Sequence, residues 1–240
     1  MFLASDVHWG ELSLWMDSLS DEFISLFGFF AEAALQRLEF SETLARLRIH
    51  EKGVRLDLKA GGRLIDRVLE LVELCDFRDA NLWFNGAIEV LQERGVRQLA
   101  VAHPGAVIEC PVDFLAPLIC TAPNKAKEVL NMFRNWGVNR FGISWQTPSL
   151  RQFFDQMDRW NFEVNIYDAP DLVAFLQAVL LLPWAITSHF NFPNGITMVG
   201  ASAKMDGILR VPLSRERLYL RIWPIWGNVS GLAGRGGHCV

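Results

Sequence analysis

The chain has 240 residues, 51% of them hydrophobic and 21% charged. That composition suits one large globular domain with a sizeable core and sets aside disorder. Its 23 Lys and Arg against 27 Asp and Glu give a net charge of −4 with no basic run. Nucleic acid, whose footprint is a basic patch or stripe, is therefore not expected as a partner. The four cysteines, Cys75, Cys110, Cys120 and Cys239, show no Cys-x-x-Cys spacing. They read as free thiols, as in a reducing compartment, and not as a zinc site. Residues 1–6 lack the basic region of a signal peptide. The apolar run 172–186 carries Gln177 and Pro183 and falls short of the roughly 20 residues a membrane span needs. The expectation is a cytoplasmic protein without a transmembrane segment.

In chain order, residues 2–7 have strand character, and 21–38 form a strongly apolar stretch read as a helix. From residue 53 the pattern alternates regularly. Residues 54–58 read as a strand, Gly61-Gly62 breaks it, and 64–75 follow as an amphipathic helix. Residues 82–85 form the next strand, and 88–93 a short helix ended by Gly95. Residues 98–102 read as a strand stopped by His103-Pro104, and 125–136 as a helix stopped at Gly137. Strands at 141–145, 162–167 and 185–190 alternate with helices at 150–160 and 171–182. Such alternation implies parallel βαβ units, six in series, with a doubly wound sheet as the other arrangement it allows. Short strands at 196–199, 208–211 and 218–223 make a β-rich extension, and 231–237 a flexible tail. The expectation is one domain over 1–240, with an irregular segment 1–40 and a C-terminal extension 195–240.

Charge falls where the first strand of this series should be. In Lys52-Gly-Val-Arg-Leu-Asp-Leu-Lys59, Val54, Leu56 and Leu58 alternate with Arg55, Asp57 and Lys59. Opposite charges on one strand face are costly to bury unless they pair or bind something. If the strands are parallel, their carboxyl ends collect Asp57 with Lys59, Asn85, His103, Trp145 with Gln146, Tyr167 with Asp168, and His189 with Asn191 on one rim. Parallel α/β barrels build their sites on that rim.

Each residue also has a structural reading. Asp57 and Lys59 form an ion pair inside a barrel; Asn85 caps the following helix; His103 belongs to a turn; Trp145 packs in the core; His189 points to solvent; Asp168 shapes a turn before Ala-Pro. The functional reading uses the same groups differently. Asp57 is a hard oxygen ligand suited to Mg²⁺ or Ca²⁺. Lys59 offers fixed positive charge to a developing oxyanion, Asn85 orients a phosphate oxygen, and Trp145 forms an apolar wall. There is no Gly-x-Gly-x-x-Gly after a strand, no phosphate-loop Lys-Ser/Thr, no Gly-x-Ser-x-Gly and no zinc spacing.

Three segments resemble, in order and approximate spacing, the menorin-type domain: residues 52–59, Leu82-Trp-Phe-Asn-Gly-Ala-Ile88 and Gly142-Ile-Ser-Trp-Gln-Thr147. Ser41-Glu-Thr-Leu44 and Pro111-Val-Asp-Phe-Leu115 fit the same pattern, so the resemblance spans residues 41–165. That family is a branch of the phospholipase C-like phosphodiesterases, which include glycerophosphodiesterases. The resemblance implies a TIM-type (β/α) barrel, incomplete or irregular at its N-terminus, and metal-assisted hydrolysis of a small or phospholipid-derived phosphodiester.

The superfamily places a catalytic His after its first strand, a Glu-x-Asp metal pair after its second and another His nearby. Upstream of Asp57 this chain offers His8 in Val-His-Trp-Gly10, Glu39 followed at the second position by Ser41, and His50. The roles the resemblance implies are therefore His8 as acid or base, Lys59 and Asn85 on the phosphate, and Glu39 with Asp57 on the metal. Around them His103, Trp145, Gln146 and His189 would contact substrate. The missing Asp after Glu39 supports a second reading, a menorin-type interaction protein on a degenerate barrel. Such a protein would meet a protein partner through Trp223, Trp226 and the arginines at 215, 217 and 221. A third, a barrel enzyme on small phosphorylated metabolites, would use Thr187-Ser188 and the 195–200 loop.

Overall fold

The computed structural model describes residues 9–16, 23–27, 40–49, 51–187 and 219–220. Its centre is a nine-stranded sheet in the order β2-β1-β3-β4-β5-β6-β7-β8-β9. The strands are β1 (Trp9–Met16), β2 (Phe23–Phe27), β3 (Gly53–Leu58), β4 (Leu82–Asn85), β5 (Val107–Pro111), β6 (Arg140–Ser144), β7 (Val164–Tyr167), β8 (Ala185–Ile186) and β9 (Tyr219–Leu220). β1 and β3 through β9 run parallel, and β2 lies antiparallel along the edge of β1. Between the strands run α1 (Phe40–Ile49), α2 (Arg63–Leu74), α3 (Ile88–Ala102), α4 (Ala116–Thr121), α5 (Pro123–Trp136), α6 (Leu150–Arg159) and α7 (Leu172–Val179). This is the expected α/β, TIM-type arrangement of strand and helix.

The period-two alternation of each strand sorts its side chains between two environments. Leu12, Leu14, Val54, Leu56, Leu58, Leu82, Phe84, Ile108, Cys110, Phe141, Ile143, Val164, Ile166 and Ile186 all join one core with the apolar faces of the helices. α2 contributes Leu64, Ile65, Val68, Leu71 and Val72, the i, i+1, i+4, i+7, i+8 stripe of an amphipathic helix. The opposite strand face carries Ser13, Arg55, Asp57, Trp83, Asn85, Glu109, Arg140, Asn165, Tyr167 and Thr187. It is largely polar yet mostly buried.

Helix ends follow local chemistry. Asp171 caps α7, its carboxylate accepting from the Ala174 N–H at 2.8 Å. Pro123 opens α5, and Gly137, at φ 123°, closes it in a conformation that side chains resist.

Several sequence expectations need correction. The short helix 88–93 and strand 98–102 are in fact one segment, α3, kinked at Gln92 (φ 55°). Gly95 does not stop it. A Cβ there would lie 2.5 Å from Ile65 Cδ1, so this glycine serves the close approach of α2 and α3. The strand in this part of the chain is β5, at Val107–Pro111. Residues 23–27, read as part of a helix, form β2, whose Phe-Ile-Ser-Leu-Phe sequence favours a strand once β1 offers an edge. The readings at 2–7, 196–199, 208–211 and 231–237 lie outside the described residues, as do the second half of 185–190 and most of 218–223. Among the described residues no helix is long and apolar enough to cross a membrane.

Candidate functional site

Parallel pairing aligns the strand ends in register. Ser13 pairs with Asp57, Asp57 with Asn85, and Asn85 with Glu109. Asp57 and Asn85 are therefore carried to the carboxyl ends of β3 and β4 by backbone geometry alone, with Ser13 of β1 level with Asp57. Asn85 Nδ2 donates to Asp57 Oδ1 at 2.8 Å. Lys59 Nζ, just beyond the end of β3, meets Asp57 Oδ2 at 2.5 Å, and the Ser13 hydroxyl donates to the same oxygen at 3.5 Å. Asp57 is almost buried, whereas Lys59 is half exposed. The result is a rim carboxylate with its positive charge on the solvent side. Asn85 thus turns its side chain to Asp57 and not to the N-cap of α3, a position Ala87 occupies.

Below this rim lies a second polar layer. Glu109, fully buried, accepts on Oε1 from Arg55 Nη2 at 3.3 Å and from Asn165 Nδ2 at 3.0 Å. Asn165 Nδ2 also reaches Thr187 Oγ1 at 3.1 Å, so the network crosses from β3 to the residue after β8. Arg140 pairs outward with Glu163 at 2.9 Å. The Arg55 and Arg140 guanidiniums lie 5.3 and 4.9 Å from the Trp83 ring centroid, within cation–π range. These charges answer the cost of burial by pairing, as the alternation of β3 requires. Asn85 Oδ1, Glu109 Oε2 and Asn165 Oδ1 accept no hydrogen bond among the described residues.

A third cluster sits where β5, β6 and β7 end. Asp113 accepts on Oδ1 from the Ser144 N–H at 2.5 Å and the Thr147 hydroxyl at 2.6 Å, and on Oδ2 from the Tyr167 hydroxyl. Burial, reinforced by that hydrogen bond, raises the Tyr167 pKa and keeps the phenol a donor.

Of the residues singled out from the sequence, the structure unites Asp57, Lys59 and Asn85. Gln146 lies exposed in the turn after β6, its N–H donating to Ser144 Oγ at 3.2 Å. Trp145 packs against the hydrophobic core, on the helix side with Ile143, because it follows Ser144 in the alternation. His103 ends α3 at the side where β5 begins, opposite the rim, and pairs there with Asp79 at 2.8 Å. It leaves the expected substrate site because α3 occupies the stretch read as a strand. His8, Glu39, His50 and His189 lie outside the described residues, as do Trp223, Trp226 and the nearby arginines.

Glu109, Asn165 and Asp113 were missed. The alternation of Val107, Glu109 and Pro111 with Ile108 and Cys110 carries the signal for the first.

Hard oxygen donors are present for a divalent cation: the Asp57 carboxylate and the unused Oδ1 of Asn85. Among the described residues no three His, Cys, Asp or Glu converge as ligands. A cation on Asp57 would draw its other ligands from neutral oxygens or from outside those residues.

No protein-family model matches the chain, and no curated protein does. Solved structures do. A phosphodiesterase from Oleispira antarctica, solved with the product sn-glycerol-3-phosphate, has a TM-score of 0.50 at 12% identity, covering 78% of this chain and 82% of its own. A glycerophosphodiester phosphodiesterase from Agrobacterium tumefaciens has a TM-score of 0.44 at 12% identity, covering 74% and 81%. At this identity the likeness is one of fold, an α/β barrel architecture.

Proposed function

We propose that this chain is a phosphodiesterase-like barrel protein that hydrolyses a small phosphodiester at the rim formed by Asp57, Lys59 and Asn85. The observation that carries the reading is the placement of all three at the carboxyl ends of adjacent parallel strands, bonded to one another. Supporting it are the menorin-type segments that contain these residues, and the fold shared with a phosphodiesterase solved with sn-glycerol-3-phosphate.

In this reading Lys59 leaves Asp57 for the phosphoryl oxygens as charge builds on them. The half-exposed side chain has the reach and the freedom to do so. Asp57, with Glu39, would hold Mg²⁺ or Ca²⁺, which when bound would supply Lewis-acid polarisation of the phosphoryl group. Asn85 keeps the Asp57 carboxylate oriented through Nδ2, and His8 is the acid or base. Water adds to phosphorus, the bond to the leaving alcohol breaks, and that alcohol departs with a proton originating from the water. Neither nucleic acid nor a membrane anchor enters this account.

The test is release of alcohol from a glycerophosphodiester by the full chain with Mg²⁺ or Ca²⁺, repeated with chelator. Metal-dependent turnover is the expected result. No turnover under either metal, in a folded sample, would replace this reading with the interaction protein on a degenerate barrel. The Asp57–Lys59 ion pair also favours that alternative, because it already neutralises the carboxylate.

A further inference from the structure

The first turn of α3 is bent away from the rest of its helix. Gln92, with φ 55° and ψ 174°, interrupts the segment between residues 88–91 and the turns that follow. That backbone region is essentially reserved for glycine, and a residue with a side chain held there stores strain. Gln92 is exposed, so packing of its own side chain does not hold it there.

What holds the turn lies at the rim. Gly86, directly after Asn85, donates its N–H to the Glu109 carbonyl at 3.2 Å. The buried Leu91 folds back over Gly86, where a Cβ would stand 2.9 Å from Leu91 Cγ. On the other side the Val90 carbonyl abuts Gly61, where a Cβ would stand 2.5 Å from that oxygen. Gly61 is two residues beyond Lys59, and Gly62, at φ 56°, is a joint before α2. The strained turn thus bridges the segments that follow Asn85 and Lys59.

We propose that residues 86–91 form a two-position switch coupled to occupancy of the rim. In the free protein the 59–62 loop, held while Lys59 pairs with Asp57, fixes the turn in its kinked position. A phosphate group, taken from the phosphodiesterase reading on which this coupling rests, draws Lys59 off Asp57. The loop then withdraws from Val90 and residue 92 relaxes to helical dihedrals. The Glu89 and Val90 carbonyls now accept from the Glu93 and Arg94 N–H groups of a continuous α3. Strain carried only by the free state favours the bound one, which is the differential free energy a ligand needs to move the equilibrium. Gln92 is a positioning residue in this scheme and touches no ligand.

Hydrogen exchange of the full chain by NMR, with and without inorganic phosphate, reads the switch at the Glu93 and Arg94 amides, and calorimetry reads its coupling. Bound phosphate should slow exchange at both amides. Gly61→Ala, whose Cβ meets the Val90 carbonyl, should slow them without phosphate. Gln92→Gly, which adopts the kinked dihedrals without strain, should weaken phosphate binding by about tenfold. Undiminished affinity in Gln92→Gly would overturn the proposal, as would exchange unmoved by bound phosphate or by Gly61→Ala in a folded sample. No phosphate binding by the unaltered chain would instead fail the phosphodiesterase reading and the coupling together, while the response to Gly61→Ala reports on the hinge alone.

Discussion

Asn85 and Asp57 are joined across the β3–β4 pair by one hydrogen bond, 2.8 Å from Nδ2 to Oδ1, at residues in direct register. The bond leaves Asn85 Oδ1 unused and sets the angle at which the carboxylate faces the rim. Asn85→Leu should therefore disorder Asp57 more than it destabilises the fold. We expect kcat/KM on a glycerophosphodiester to fall by about 10²-fold, with a stability loss near 1 kcal/mol. Parallel kinetics and thermal unfolding check this. A large stability loss with unchanged activity would make Asn85 a structural residue only.

Glu109 holds the interior together rather than touching the rim. Its Oε1 is the shared acceptor of Arg55 and Asn165, in a fully buried position. Removing one partner of a buried pair is costly because the remaining charge stays desolvated. Glu109→Ala should lower unfolding free energy by about 3–5 kcal/mol, measured by urea denaturation, and Glu109→Gln should cost less. Equal and small effects of both variants would show that this network adds nothing to the fold.

The close approach of α2 and α3 depends on Gly95. A Cβ there meets Ile65 Cδ1 at 2.5 Å, so Gly95→Ala should destabilise by about 1–3 kcal/mol through overpacking. Ile65→Val removes the offending methyl, and the double variant should recover part of the loss. Strict additivity in the double-mutant cycle would contradict the contact.

Thiol reactivity should follow exposure. Cys120 is exposed and Cys110 buried, with its thiol pushed up by desolvation and then by the neighbouring Glu109 and Glu89 carboxylates. Because the thiolate is the nucleophile, a disulfide reagent at neutral pH should modify Cys120 rapidly and Cys110 only after denaturation. Peptide mapping of the labelled sites reads this directly; early labelling of Cys110 would mean that the β5 core opens.

Alkaline stability should carry the signature of Tyr167. Its folded pKa is raised, mainly by burial, while an unfolded tyrosine ionises near about pH 10. Above that pH the unfolded chain releases a proton that the folded chain keeps, so stability falls as pH rises. Tyr167→Phe should shed that part of the decline, seen as a shallower loss of Tm above pH ~10. An identical pH slope in both proteins would contradict the part-buried Tyr167–Asp113 hydrogen bond.

Much of this arrangement was legible in the residues. Val54, Leu56 and Leu58 alternating with Arg55 and Asp57 announced both the strand and its divided environment, and the ion pair of Asp57 with Lys59 was one of the readings they allowed. Helices α2, α5, α6 and α7 carry clear apolar periodicity. What failed did so for tertiary reasons. Gly95 looks like a stop and is instead a packing position against Ile65. Reading 98–102 as a strand displaced β5, so Glu109 went unnoticed and His103 was carried to the wrong end of the sheet. Trp145 falls one residue beyond Ser144, and that single step in a period of two sends it to the helix side. The Asp113 clamp draws on Ser144, Thr147 and Tyr167, partners 31, 34 and 54 residues away, a separation local pattern does not register.

The central claim rests on Asp57, and kcat/KM of the unaltered chain against Asp57→Asn on one glycerophosphodiester, in the presence of Mg²⁺ or Ca²⁺, tests it most directly. Asp57→Asn keeps the size of the side chain and its hydrogen bond to Asn85 while removing the charge. The account predicts a loss of at least about 10²-fold at unchanged thermal stability. Equal turnover by the two proteins would contradict it and take Asp57 out of the site.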